Sequence, residues 1–257
     1  MEKDDEIKMA TKSEPAIYKR VCPKHGEYES QALEFFNNII ASACPICLQE
    51  AEAAAVTERE AIIRDYREKD MLKRGIEADY FNATFDGFHA ENETEENALN
   101  AVKELNAGTL EKVLLLGSNG TGKTYLGCVL VKNWHGVRIT MFELSARIRA
   151  GFNTGKSELE ILDELLDYPA IVLDEIGRTK GSESEKNWLS YLIDKAHTKH
   201  KKLLIISNRQ TAKRLPPERR GDAIESYFDN DVISRLRQNS KIVEVTGRDR
   251  RATCTSV

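Results

Sequence analysis

The sequence has no apolar run long enough to span a bilayer. Its opening residues, Met-Glu-Lys-Asp-Asp-Glu, are charged with no apolar stretch behind them, so neither a signal peptide nor a membrane helix is expected. It has only five cysteines, an odd number that does not suit a disulfide frame and fits a reduced, cytoplasmic setting. It also lacks a basic excess. Lys and Arg number 38 against 42 for Asp and Glu, giving a formal net charge of −4. Nucleic-acid contact would therefore rest on local basic patches and not on global charge. The 257 residues suit one large domain, or a core domain with a small appendage.

What is present centres on Val113–Thr124, Val-Leu-Leu-Leu-Gly-Ser-Asn-Gly-Thr-Gly-Lys-Thr. A short apolar run of buried-strand type leads into G-x-x-x-x-G-K-T, the phosphate-binding loop. Glycines let the backbone curl so that several N–H groups face an anion. The helical stretch Tyr125–Trp134 follows and aims its positive end at the same point. The expected nucleotide contacts are Gly117, Ser118, Asn119, Gly120, Thr121, Gly122, Lys123, Thr124 and Tyr125. Lys123 reaches the β- and γ-phosphates, and the Thr124 hydroxyl ligates Mg²⁺.

Two cysteine-containing knuckles precede this core. Cys22 and His25 are separated by two residues, as are Cys44 and Cys47, and Pro follows the first Cys of each pair. Four such ligands match a closed tetrahedral Zn²⁺ site that holds a fold together. Free thiols beside an unrelated histidine are the plainer alternative. From about Leu48 to Arg74 the chain is rich in Ala, Glu and Arg, a long helix that Gly75 breaks. The expected division is a zinc module over 1–50, a linker helix over 51–75 and a nucleotide-binding domain over 76–257.

Downstream, Val137–Glu143 reads as a strand, Leu144–Phe152 follows it, and after a polar loop Ser157–Leu166 reads as a helix. Ala170–Leu173 is an apolar strand ending in Asp174 and Glu175, which fits a Walker B segment. Asp174 would hold the Mg²⁺ shell, and Glu175 would polarise the attacking water. Glu185–His200 is an amphipathic helix. Leu203–Ser207 is a buried strand with Asn208 at its tip, a position that points into the ligand cleft of an open α/β sheet. Lys241–Val245 reads as a last strand. Strands alternating with helices predict an α/β fold, a parallel P-loop sheet flanked by helices.

Four segments carry a family resemblance. They are the aromatic stretch Arg74–Phe88, Leu-Asp-Glu-Ile-Gly ending at Gly177, Leu-Ile-Ile-Ser-Asn ending at Asn208, and Val-Ile-Ser-Arg-Leu-Arg-Gln-Asn around Arg235. From about Arg74 onward the chain resembles the AAA+ ATPases of the DnaC/DnaI group of bacterial and phage replicative helicase loaders. The resemblance implies Mg²⁺-dependent ATP hydrolysis, self-association through shared ATP sites, and two partners, a DnaB-type helicase and single-stranded DNA. It makes Asn208 sensor I and Arg235 an arginine finger acting in trans, with Arg237 as alternative. Arg251 takes the sensor II position, with Arg250, or no residue at all, as alternatives. The resemblance places Arg149 and Phe152 in a helical insert before Walker B and Ser182 and Ser184 in a loop after it, which makes them candidate DNA contacts. Packing of Phe152 under the insert is the alternative. A similar core serves the IstB-type transposition ATPases. A small-molecule P-loop kinase is a third reading, opposed by the positions of Asn208 and Arg235.

Overall fold

The computed structural model of the chain describes residues 16–35, 38–178, 182–228 and 230–250. The N-terminal tail and Arg251 lie outside the described residues. The chain divides into two compact units, Met1–Arg67 and Glu68–Val257. Among the described residues no helix is long and apolar enough to cross a membrane.

In the first unit, β1 (Ala16–Cys22), β2 (Gly26–Phe35) and β3 (Asn38–Ala41) form an antiparallel meander. The β1–β2 turn closes through Gly26 at φ +79°, a conformation open to glycine. Then α1 (Pro45–Lys73) begins, with Pro at a position that suits its missing N–H. The helix therefore starts before residue 51, and Cys47 lies in its first turn.

The second unit runs α2 (Glu93–Ala107), β4 (Lys112–Gly117), α3 (Lys123–Trp134), β5 (Val137–Thr140), α4 (Met141–Thr154), α5 (Glu158–Leu166), β6 (Ala170–Ile176), α6 (Glu183–Thr198), β7 (Lys202–Ser207), α7 (Asn230–Arg237) and β8 (Ser240–Val245). The five strands are all parallel, in the order β5-β6-β7-β4-β8. Both faces are covered. Along β4, Val113 and Leu115 join the core with Val102, Leu126 and Leu130, while Leu114 and Leu116 join the opposite core with Leu144, Leu165 and Leu192. This period-two split explains why the strand reads as a continuous apolar run.

The strand expected to continue to Glu143 stops at Thr140. Thr140 and Glu143 form a capping box. The Glu143 N–H donates to Thr140 Oγ1 (3.2 Å), and the Thr140 N–H donates to Glu143 Oε2 (2.8 Å). Met141 to Glu143 are therefore helical. The same box recurs at Ser157 with Glu160 and at Ser182 with Glu185. It corrects the loop expected at Ser182 and Ser184. Ser182 is the N-cap of α6, its hydroxyl bonded to the Glu185 N–H, and Ser184 lies in the first turn.

Thr140→Ala is expected to remove one cap and destabilise the second unit by about 1 kcal/mol. A lower urea midpoint with an unchanged slope would show this; an unchanged midpoint would contradict it.

Candidate functional site

The loop between β4 and α3 is shaped by what surrounds it. Gly122 stands at φ +85°, and a Cβ there would meet the Phe88 ring at 2.5 Å. Gly117, at φ +119°, passes against the Val245 backbone too closely for a side chain. The Lys123 ammonium donates to the Gly117 carbonyl (2.9 Å) and to that of Ser118. Thr124 Oγ1 donates to Asp174 Oδ2 across 3.0 Å. A glycine cradle, a lysine and a hydroxyl beside a carboxylate, at the start of a helix, form a donor set that fits phosphate and a hard divalent cation.

Asp174 and Glu175 stand near the end of β6, where its register with β7 shifts between Leu173 and Ile176. Glu175 lies at φ +57°, uncommon for a residue with a side chain. Bulges and such strain re-aim side chains at functional sites. Asp174 is 1% exposed. Its Oδ2 accepts from Thr124 and from Arg138 Nε (2.8 Å), and its Oδ1 accepts from the Glu175 N–H (2.7 Å). Glu175 is half-buried, with both carboxylate oxygens bonded to one Arg178 nitrogen at 3.0 and 2.9 Å. Asn208, after β7, opens on the same cleft.

That cleft has a volume of about 230 Å³ and takes in residues 119–125, Asp174, Glu175 and Asn208. It is completed by Tyr80, Gly87, Phe88, Ile206 and Arg250. Arg250 donates its backbone N–H to the Gly120 carbonyl (3.2 Å) and pairs with buried Glu95. Its guanidinium lies 4.9 Å from the centre of the Phe88 ring. The aromatic stretch before α2 reads by itself as core packing, and Arg250 as one cation in a basic tail, so only chain tracing joins them to the loop. Arg138 carried no sequence signal, because it stands inside a short apolar strand.

Other expected residues lie elsewhere. Gly117 and Ser118 do not line the cleft; Ser118 faces an adjoining cavity with Arg178 and Arg209. Arg235 on α7 pairs with Asp194 of α6 in the same chain, and Arg237 is exposed. Arg149 is exposed on α4 and shares a separate cleft of about 420 Å³ with Glu175 and Arg178. Phe152 is 59% exposed, so it does not pack under the insert.

In the first unit Cys22, His25, Cys44 and Cys47 converge, their ligand atoms all within 4.8 Å of one another. Cys22 Sγ lies 3.5 Å from Cys47 Sγ, and His25 Nδ1 lies 3.3 Å from Cys47 Sγ and 3.7 Å from Cys22 Sγ and Cys44 Sγ. Tetrahedral bonds of about 2.3 Å to a central ion require edges of about 3.8 Å. The set could hold one metal ion. The Lys24 and His25 backbone N–H groups are the main influence pulling the Cys22 thiol down to about 6, toward the thiolate that binds metals. On the far side of the ring, His25 Nε2 faces Glu50 Oε1 at 3.3 Å, the carboxylate–histidine pairing that fixes a ligating imidazole.

A family model described as IstB-like ATP binding protein matches residues 49–255. The chain belongs to this family. Its second unit is accordingly an AAA+ ATPase, and membership of an ATP-binding family implies nucleotide with Mg²⁺ at the loop. A curated relative, the replicative helicase loader DnaC of Escherichia coli (strain K12), is 26% identical over 212 residues, 78% of this chain and 85% of the relative. The DnaC of Buchnera aphidicola subsp. Baizongia pistaciae is 28% identical over 163 residues, 58% of this chain and 66% of the relative. Among solved structures, the DnaC helicase loader superposes with a TM-score of 0.56 at 23% identity, over 66% of this chain and all of that one. The replication initiator DnaA bound to AMPPCP and single-stranded DNA superposes with a TM-score of 0.54 at 18% identity, over 65% and 51%. These likenesses establish the AAA+ fold.

Gly122→Val would press a branched side chain against Phe88 at a left-handed position. Fluorescent ATP-analogue binding is expected to weaken at least tenfold, about 1.4 kcal/mol, with the circular dichroism spectrum retained. Undiminished affinity would place the nucleotide elsewhere.

Proposed function

We propose that this chain is an ATP-dependent loader of a DnaB-type replicative helicase onto single-stranded DNA. The observation that carries this reading is the match to DnaC over 212 residues, 78% of the chain. ATP binding orders the assembly with helicase and DNA, and hydrolysis releases it, so the nucleotide works as a switch.

Within the cleft, the loop N–H groups and Lys123 bind and orient the phosphates. Thr124 and Asp174 would hold Mg²⁺, which would supply charge stabilisation at the transferring phosphoryl group. Glu175, once exchanged from Arg178, accepts a proton from the attacking water, and Asn208 orients it. Arg235 is half-exposed beside Asp194 and is available to a neighbouring copy, where it would stabilise the developing charge. Arg250, which lines the cleft, takes the sensor II role proposed for Arg251. On α4, Arg149 and exposed Phe152 supply a cation and a stacking surface for DNA. Ser182, the N-cap of α6, and Ser184, in its first turn, offer hydroxyls to the same DNA strand.

Residues 1–50 form the helicase-binding module, 51–75 the linker helix and 76–257 the ATPase. Cys22, His25, Cys44 and Cys47 would hold a Zn²⁺ of structural kind, since four protein ligands satisfy it. An IstB-type transposition ATPase shares the core; the loader reading is favoured by the DnaC relatives and by the Cys/His module.

Three outcomes are expected. Purified protein contains close to one zinc per chain by metal analysis, and a content near zero removes the zinc module. The host's replicative helicase is captured by the wild-type chain but not by Cys44→Ser/Cys47→Ser; capture of a transposase instead favours the transposition reading. Arg235→Ala leaves ATP binding intact but lowers DNA-stimulated hydrolysis at least tenfold, whereas weakened nucleotide binding would contradict the in-trans role.

A further inference from the structure

Arg138 is a buried cation beside the magnesium-side carboxylate. Its side chain is 6% exposed and that of Asp174 2%. The guanidinium Nε donates to Asp174 Oδ2 at 2.8 Å, while NH1 donates to the Gly75 carbonyl at 3.0 Å and to Glu77 Oε1 at 3.3 Å. Gly75 sits at φ +81° against the Arg138 carbonyl, and the Arg138 N–H donates to the Arg74 carbonyl (2.8 Å). The arginine is thus fixed from both its backbone and its side chain. Burial works against a charge, but the Asp174 carboxylate at 2.8 Å compensates it, and a guanidinium stays protonated at any working pH. Nearby Cys128 has its thiol pushed by burial to about 12, so it adds no charge.

The consequences are geometric and electrostatic. Both Asp174 oxygens have donors: Thr124 and Arg138 on one, the Glu175 N–H on the other. The carboxylate cannot rotate without breaking charge-assisted hydrogen bonds in a buried setting. Its buried negative charge is also balanced by Arg138, whose second carboxylate partner, Glu77, is 64% exposed and screened by water, and a balanced carboxylate is a poor site for a lone divalent cation. Nucleotide phosphates bring the missing negative charge.

We propose that Arg138 is a positioning residue that aims Asp174 toward Thr124 and, by cancelling its charge, makes divalent-cation binding depend on bound nucleotide. The proposal rests on the ATP-site reading above. A lysine at 138 would keep the charge but lose the planar fork that reaches Asp174 and Gly75 together. A glutamine would lose the charge.

The test uses the full-length chain, with Mn²⁺ as spin-active probe and ATP. Wild-type protein is expected to take up Mn²⁺ only when ATP is added. Arg138→Gln should bind Mn²⁺ without nucleotide at least tenfold more tightly than wild type, and should lower kcat more than it raises KM for ATP. Arg138→Lys should keep nucleotide-dependent Mn²⁺ uptake but lose kcat several-fold. A folded Arg138→Gln with wild-type Mn²⁺ behaviour overturns the charge-balancing role. If that variant does not fold, Arg138→Lys decides, since an unchanged kcat overturns the positioning role and nucleotide-free Mn²⁺ uptake overturns charge balance. A wild-type chain that binds no ATP at all would defeat the ATP-site reading itself.

Discussion

The second unit depends on one buried carboxylate. Asp174 ends an apolar strand and would be costly there without partners. Its partners come from three directions: the Thr124 hydroxyl from α3, the Arg138 guanidinium from β5 and the Glu175 backbone from its own strand. These contacts tie the phosphate loop, an edge strand and the Walker B strand at one point. Arg138 extends the tie to Gly75 and Glu77, the segment that follows α1. The register shift after Leu173 then turns Glu175 into the left-handed region, so adjacent acids serve different purposes. Asp174 is held, whereas the half-buried Glu175 carboxylate is engaged, among the described residues, by exposed Arg178.

The opposite wall of the cleft is built by segments far apart in the chain. Phe88 lies against Gly122, and Arg250 lies over Phe88 while its N–H reaches Gly120. Thr246 bonds with Thr94, and Arg248 pairs with Glu91, so the residues after β8 run along the start of α2. The loop is therefore enclosed by the first and last portions of its own unit, which explains why its glycines are required by neighbours as well as by phosphate.

The first unit gathers its cysteines by a different logic. A hairpin turn presents Cys22 and His25, and the start of α1 presents Cys44 and Cys47. Glu50, one turn along the helix from Cys47, faces the far side of the imidazole. Where so small a meander cannot bury a sizeable core, four converging ligands are the kind of group that could cross-link it through one metal ion.

Much of this was legible in the sequence, because the signals are local. Loop glycines, Lys123 and Thr124 obey the geometry of one turn. The apolar run into Asp174 and Glu175 and the paired cysteine spacings are equally self-contained. A parallel sheet buried on both faces announces its strands as apolar runs, and these located β4, β6 and β7. The misplaced end of β5 was local too: Thr140 and Glu143 form a capping box hidden in a segment of strand-like residues. What only the tertiary structure decided is which distant groups meet. Arg138 reads as one polar residue in a short strand until β5 is laid beside β6, where its charge meets that of Asp174. Phe88 and Arg250 read as packing and as tail until both reach the loop. Residue type and spacing determine which local chemistry is possible; the balancing of a buried charge is set by long-range packing, which no single stretch of sequence contains.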